Sequence, residues 1–246
     1  MSARGKRYEA VRGAIDREEL YSPAQAIRIL KDVGGAKFDE TLEVHLNLGL
    51  NVRHAEEQLR GTLMLPHGTG RTARVAVFAE GEKAKEAEEA GADIVGSADL
   101  AKRVEEGFTD FDVAIATPDQ MGNVGKLGRI LGPRGLMPNP KTGTVTMDVA
   151  KAVREAKAGK LEYRTDRGAN VHVPIGKRSF DERQLVENYA ALIDEIVRAK
   201  PASAKGRYIK KVTLASTMGP GIHVDPMRTR GIVEELEESE AATVSG

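Results

Sequence analysis

The sequence predicts an α/β protein in which a layered α/β domain interrupts a second domain built from both chain ends. Three observations carry that expectation. Short apolar strands alternate with helical runs through the middle of the chain, the pattern of a parallel sheet covered on both faces. The flanking segments show period-two strands and amphipathic helices instead. Two glycine-bearing junctions, Pro66-His67-Gly68-Thr69-Gly70 and Ala158-Gly159-Lys160, bracket the change. The domains are therefore placed at 1–70 with 159–230, and at 71–158, followed by an acidic tail at 231–246. Gly68, Gly70 and Gly159 are the predicted hinge, because glycine tolerates backbone changes that other residues resist.

Each element follows from local chemistry. Ser22 can cap a helix whose first position suits Pro23 and whose capping-box partner is Gln25. Ile27, Leu30 and Lys31 continue it, and Gly34-Gly35 stop it. In ETLEVHLNLGL, Leu42, Val44, Leu46, Leu48 and Leu50 fall on one side of a half-buried strand. The middle reads as strand RVAVFA, helix EKAKEAEEAGA, a strand at Ile94-Val95, a helix after Ser97, strand DVAIATP and a helix over 148–158. LEYRTDRGANVHVPIG reads as a hairpin turning near Gly168. Ser179 and Glu182 make a capping box for a helix that aligns Leu185, Tyr189, Leu192, Ile193 and Ile196, and Pro201 ends it. Strand YIKKVTLAST then leads into Met218-Gly219-Pro220-Gly221, and the acidic end reads as a frayed helix or a disordered tail.

Composition narrows the function classes. The chain has 246 residues, 40% of them hydrophobic, enough for a packed core. It has no cysteine, which removes thiol chemistry and cysteine-based zinc sites. No signal peptide or membrane span is read, so a soluble, cytoplasmic protein is expected. Net charge is zero, but only by cancellation. Residues 159–230 carry 14 basic against 8 acidic side chains, while 231–246 carry 5 acidic and no basic ones. Between Glu195 and Asp225 there is no carboxylate, yet Arg198, Lys200, Lys205, Arg207, Lys210 and Lys211 all fall there. Two readings fit such a run, a nucleic-acid footprint and a plain solvated face.

Enzyme signatures are incomplete. Gly122-Asn123-Val124-Gly125-Lys126-Leu127 is too short for a phosphate loop and lacks the hydroxyl after its lysine. Gly122, Gly125 and Gly128 do not make the dinucleotide pattern, so a structural loop is expected there. His45, His54, His67, His172 and His223 show no metal-ligand spacing, and neither a metal nor a cofactor is expected. With 4% aromatics and no Trp, the chain lacks platforms for stacking single-stranded bases. An RNA partner would then be a folded one, read by shape, phosphates and 2′-hydroxyls. The rival reading is an α/β enzyme using the 122–135 segment for a phosphorylated ligand.

Four blocks carry a family resemblance: KFDETLEVH at 37–45, RGTLMLPHGTGR at 60–71, LGRILGPRGLMPNPKTGTV at 127–145 and LASTMGPG at 214–221. Together they resemble the bacterial family of large-subunit ribosomal protein one, and the likeness runs from about residue 5 to residue 228. The family's fold has a split α+β first domain made from both chain ends and an inserted, Rossmann-like three-layer α/β domain. The resemblance implies a non-enzymatic, ribosome-associated monomer without cofactors. Its partners would be large-subunit rRNA at the mobile stalk, exit-site tRNA whose movement and release it assists, and its own mRNA, which such proteins can bind to repress translation.

Carried over by motif, Lys37, Phe38 and Thr41 should face RNA, as should Thr217, Met218 and Gly219. Arg164, Asp166 and Arg167 lie in the matching hairpin. For Phe38 a core position is the competing reading. The turn RGAN departs from the family's usual turn, and the acidic tail extends past the family's typical end.

Overall fold

A computed structural model describes residues 5–232 except 14, 17, 34 and 230. The expected tail conformation at 233–246 lies outside the described residues, as does Gly34. The chain divides into two compact units, residues 1–70 with 163–246, and residues 71–162.

The first unit begins with helix α1 (Lys6–Gly13) and helix α2 (Pro23–Asp32). The α2 cap is as the sequence predicts: Ser22 Oγ accepts from Gln25 N, and Gln25 Oε1 accepts from Ser22 N. At its other end the helix stops at Asp32, with Val33 as the C-cap in extended conformation, just before the Gly34-Gly35 pair read as its stop. Strand β1 (Thr41–Leu48) alternates strictly between buried and partly exposed residues, so Leu42, Val44, Leu46 and Leu48 face the core. Leu50 lies beyond the strand, where the pairing slips between Asn47 and Leu48.

Strand β2 (Arg60–Met64) follows, and after the interrupting unit the chain returns through β6 (Lys160–Arg164), which pairs with β2. Strands β7 (Asn170–Lys177), β8 (Ile209–Ser216) and β9 (Gly221–Val224) join β1 in an antiparallel sheet of order β7-β1-β8-β9. Helix α8 (Glu182–Arg198) and α2 pack on its apolar face. Leu185, Tyr189, Leu192, Ile193 and Ile196 of α8 are all buried, as their spacing predicts.

Two local expectations are corrected. The segment 161–176 is not a hairpin, because β6 pairs with β2 while β7 pairs with β1. Strand partners are chosen by long-range packing, which a local alternation cannot report. The capping box of α8 is Asp181 with Gln184, not Ser179 with Glu182. The Ser179 hydroxyl donates instead to Asp39, at 2.7 Å, and Glu182 accepts from Arg28.

The second unit holds a parallel sheet of β3 (Val75–Phe78), β4 (Ile94–Gly96) and β5 (Val113–Ala116), in the order β4-β3-β5. Val75 and Val77 pack with residues of α3 (Glu82–Glu89) and α7 (Val149–Lys157). Ala76 and Phe78 point the other way, toward α4 (Ala98–Glu105), α5 (Met121–Lys126) and α6 (Gly128–Leu131). Both faces of β3 are therefore buried, which explains its unbroken apolar run. The loop expected at 122–128 is helical instead, and α5 and α6 with the residue between them send Val124, Leu127 and Leu131 into the core.

Candidate nucleic-acid interface

The residues singled out by sequence fall into two groups, both in the first unit. At one end of β1 lie Lys37, Phe38, Thr41, Thr217, Met218 and Gly219. At the other end lie Arg164, Asp166 and Arg167. Thr41 pairs with Lys177 and Asn47 with Asn170, so about six residues of strand separate the groups, roughly 20 Å at about 3.4 Å each.

The first group is built around a buried carboxylate. Glu40 is 1% exposed, and it accepts from the backbone N–H groups of Ala36 and Met218, the latter at 3.0 Å. Burial alone would raise its pKa. The Ser216 hydroxyl, those two N–H groups and the nearby Arg178 guanidinium outweigh it, and the carboxyl titrates below its ordinary value. Arg178 in turn donates to the carbonyls of Lys31 and Val33 at the end of α2, at 2.5–3.2 Å. Its guanidinium occupies the space that a side chain at Gly35 would need, since a Cβ there would sit 1.5 Å from Nη1. Glu40 and Arg178 thus tie the segment before β1 to the turn after β8, and with it the exposed side chains.

Those side chains are Phe38, 55% exposed, and Met218, 52% exposed, so Phe38 is not a core aromatic. Lys37 is exposed beside them. Thr41 and Thr217 bind each other, and Lys177 Nζ donates to Thr41 Oγ1 at 2.8 Å. Gly219 is required by a close approach, because a Cβ would lie 2.4 Å from Ser216 Oγ. Apolar caps, a lysine and threonine hydroxyls at one strand end can engage sugars, bases and phosphates together.

The second group is organised by Asp166. Its carboxylate accepts from the N–H groups of Gly168 (2.8 Å) and Asn170 (2.7 Å) and from Asn170 Nδ2 (3.0 Å). These bonds, the Asn170 side chain first, lower its pKa. They close a turn in which Ala169 adopts φ 60°, and Asn47 Nδ2 donates to Asn170 Oδ1 at 2.7 Å. Asp166 is the brace of the turn, and Arg164 and Arg167, its near neighbours in the chain, are exposed.

Between the groups, the face of the sheet opposite α2 and α8 carries a polar row. His172, His45, Thr213 and His223 stand side by side on β7, β1, β8 and β9. His45 Nδ1 and His172 Nδ1 are 2.9 Å apart, with ring centroids at 5.0 Å, and His223 Nδ1 lies 3.2 Å from Thr213 Oγ1. Burial, then His172, lowers the pKa of His45, with Glu43 opposing. Sequence reasoning missed this row, because cross-strand register is invisible before the strands are paired. It missed Glu40 and Arg178 as well, although Glu40 stands inside the KFDET block.

The model of the ribosomal protein L1p/L10e family matches residues 30–220. The chain belongs to the ribosomal protein L1p/L10e family. Among similar proteins, the large ribosomal subunit protein uL1 of Thermobifida fusca is 61% identical over 227 residues, covering 92% of this chain and 97% of that one. The protein of that name from Rubrobacter xylanophilus is 63% identical over 223 residues, with 90% and 97% covered. That from Rhodococcus erythropolis is 58% identical over 239 residues, with 97% and 100% covered. The family match spans both residue groups. Among the described residues no cluster of three His, Asp or Glu could hold a metal ion, and no helix is long and apolar enough to cross a membrane.

Proposed function

We propose that this chain is a non-enzymatic protein of the large ribosomal subunit that binds large-subunit rRNA at the mobile stalk beside the tRNA exit site. In this reading it acts in the cytoplasm as a monomer within the subunit. It assists the movement and release of deacylated tRNA, and it binds its own messenger to repress translation. The observation that carries the reading is the braced strand end. Phe38 and Met218 are exposed beside Lys37, on a backbone held by Glu40, Arg178 and the Thr41–Thr217 pair. Two large apolar side chains exposed beside a lysine on a braced backbone suit contact with a partner.

The two compact units serve as domains in this reading, the one from both chain ends gripping RNA and the inserted one turning on Gly68, Gly70 and Gly159. All three glycines have positive φ, at 63°, 73° and 94°. The Gly68 carbonyl accepts from buried Asn188 at 3.0 Å. The test is co-sedimentation with large ribosomal subunits. The protein should travel with them at low salt and leave at high salt, because released counterions drive phosphate binding. Protein that stays in the supernatant at low salt would contradict the reading.

A further inference from the structure

His45 and His172 stand 127 residues apart in the chain and face each other across β1 and β7. Their Nδ1 atoms are 2.9 Å apart, and the rings meet edge to face at an interplanar angle of 63°. Two imidazole nitrogens this close need a positive centre between their lone pairs. It can be a proton carried by one ring or a cation bound by both. The other nitrogen of each ring faces a carboxylate: Glu43 Oε2 lies 4.0 Å from His45 Nε2, and Asp166 Oδ2 lies 3.7 Å from His172 Nε2. Negative charge behind a ring draws the ring proton to that side and leaves the opposite nitrogen with a free lone pair. Metal-ligating histidines share this arrangement, and here both rings have it with Nδ1 in front.

The spacing selects the class of ion. At a metal–nitrogen distance of about 2.0–2.1 Å, two nitrogens 2.9 Å apart subtend an angle of roughly 90°. A tetrahedral ion such as Zn(II) would hold them roughly 3.3 Å apart. Right angles belong to neighbouring positions of tetragonal and octahedral ions, the geometry of Cu(II) and Ni(II). His45 is partly exposed and His172 exposed, so water can fill the remaining positions. The third histidine of the row is engaged elsewhere. His223 Nδ1 lies 3.2 Å from Thr213 Oγ1, and Thr213 stands between it and His45.

We propose that His45 and His172 form a two-histidine site for a divalent transition-metal ion of the Cu(II) or Ni(II) class, which staples β7 to β1. The site stands independently of the RNA-binding reading above. Strand β7 is an edge of the sheet and has β1 as its neighbour there. An ion held by one ligand from each strand binds the folded arrangement alone, so it stabilises that arrangement by mass action. Glu43 and Asp166 position the rings from behind. The spacing of histidines along the sequence could not reveal the pair, because its ligands meet only through strand register.

The experiment titrates the untagged chain with Ni(II) near neutral pH by calorimetry, for the wild type, H45Q, H172Q, H45Q/H172Q and H223Q. The wild type and H223Q should each bind one equivalent. Either single variant of the pair should bind roughly tenfold more weakly or worse, and the double variant not at all. Zn(II) should bind the wild type more weakly than Ni(II), and Ni(II) should raise the melting temperature of the wild type but not of the double variant. Electron paramagnetic resonance of the Cu(II) form counts the ligands directly. It should show splitting from two nitrogens in the wild type and from one in H172Q, whose exposed side chain can be replaced without disturbing the core. Wild-type affinity in H172Q, or a wild-type spectrum with a single nitrogen, would mark an adventitious surface ion and overturn the proposal.

Discussion

Thr41 and Thr217 clasp each other through backbone and side chain at once. Thr217 N donates to Thr41 O at 3.1 Å, Thr41 N donates to Thr217 Oγ1 at 3.0 Å, and that hydroxyl lies 3.3 Å from Thr41 O. The hydroxyl expected to meet RNA is therefore already part of the scaffold. It closes the corner where β1 begins and β8 ends.

Thr217→Val should thus affect stability as well as binding. The substitution keeps the shape and leaves the Thr41 N–H without its acceptor, at a cost of about 1–2 kcal/mol. Thr217→Ser, which keeps the hydroxyl, should lose less. Chemical denaturation of the three proteins checks this, and equal stability of the valine and serine variants would show that the clasp contributes nothing.

Asn188 is fully buried in α8 and serves the chain where it leaves the first unit. Its Oδ1 accepts from His67 N at 3.1 Å, and its Nδ2 donates to the carbonyls of Gly68 (3.0 Å) and Ile175 (2.7 Å). Asn188→Leu has similar size but strands these groups, so it should destabilise the protein by about 2–3 kcal/mol. It should also speed hydrogen exchange at His67, and unchanged exchange there would count against the pin.

Acid should loosen the strand end through Glu40. Its carboxyl titrates below the ordinary value of 4.5, so the folded state holds the ionised form more tightly than the unfolded chain does. Such a group contributes stability that is present above the unfolded pKa and lost as pH falls through the folded one. Melting temperature followed downward from pH 5 should fall less steeply in Glu40→Gln than in the wild type, although that variant starts lower. Parallel curves would remove Glu40 from the acid response.

The histidine row should respond nearer neutrality. Folding lowers the pKa of His45, so its contribution is fully present above the unfolded value of 6.5 and is lost as pH falls toward the folded one. Between pH 7.5 and 5.5 the wild type should lose stability that H45Q/H172Q does not. RNA phosphates should oppose the loss by favouring the charged His45 ring, so affinity should rise more on acidification in the wild type than in that variant.

What the sequence revealed was local. The α2 capping box, the alternation of β1 and the buried stripe of α8 depend on spacing within one segment, and each stands where it was read. The sequence reads the start of α8 as a box of Ser179 with Glu182, whereas the structure forms it from Asp181 with Gln184. The choice fell to Asp39, a distant residue that engages Ser179. The misread hairpin at 161–176 has the same origin, since β6 and β7 find partners far away in the chain. Motifs located Phe38 and Met218, but the Glu40–Arg178 brace and the His45–His172 pair exist only once the chain has closed on itself.

The central claim is that the braced strand end is the surface that meets RNA. Its most direct test is the affinity of F38A/M218A for a stalk-type rRNA fragment at fixed salt, alongside the wild type. Both side chains are more than half exposed, so the melting temperature should barely move. Loss of an aromatic face and its apolar neighbour should weaken binding about tenfold or more, given roughly 1–3 kcal/mol for each stacked contact. Affinity equal to wild type, in a variant that melts like it, would contradict the account.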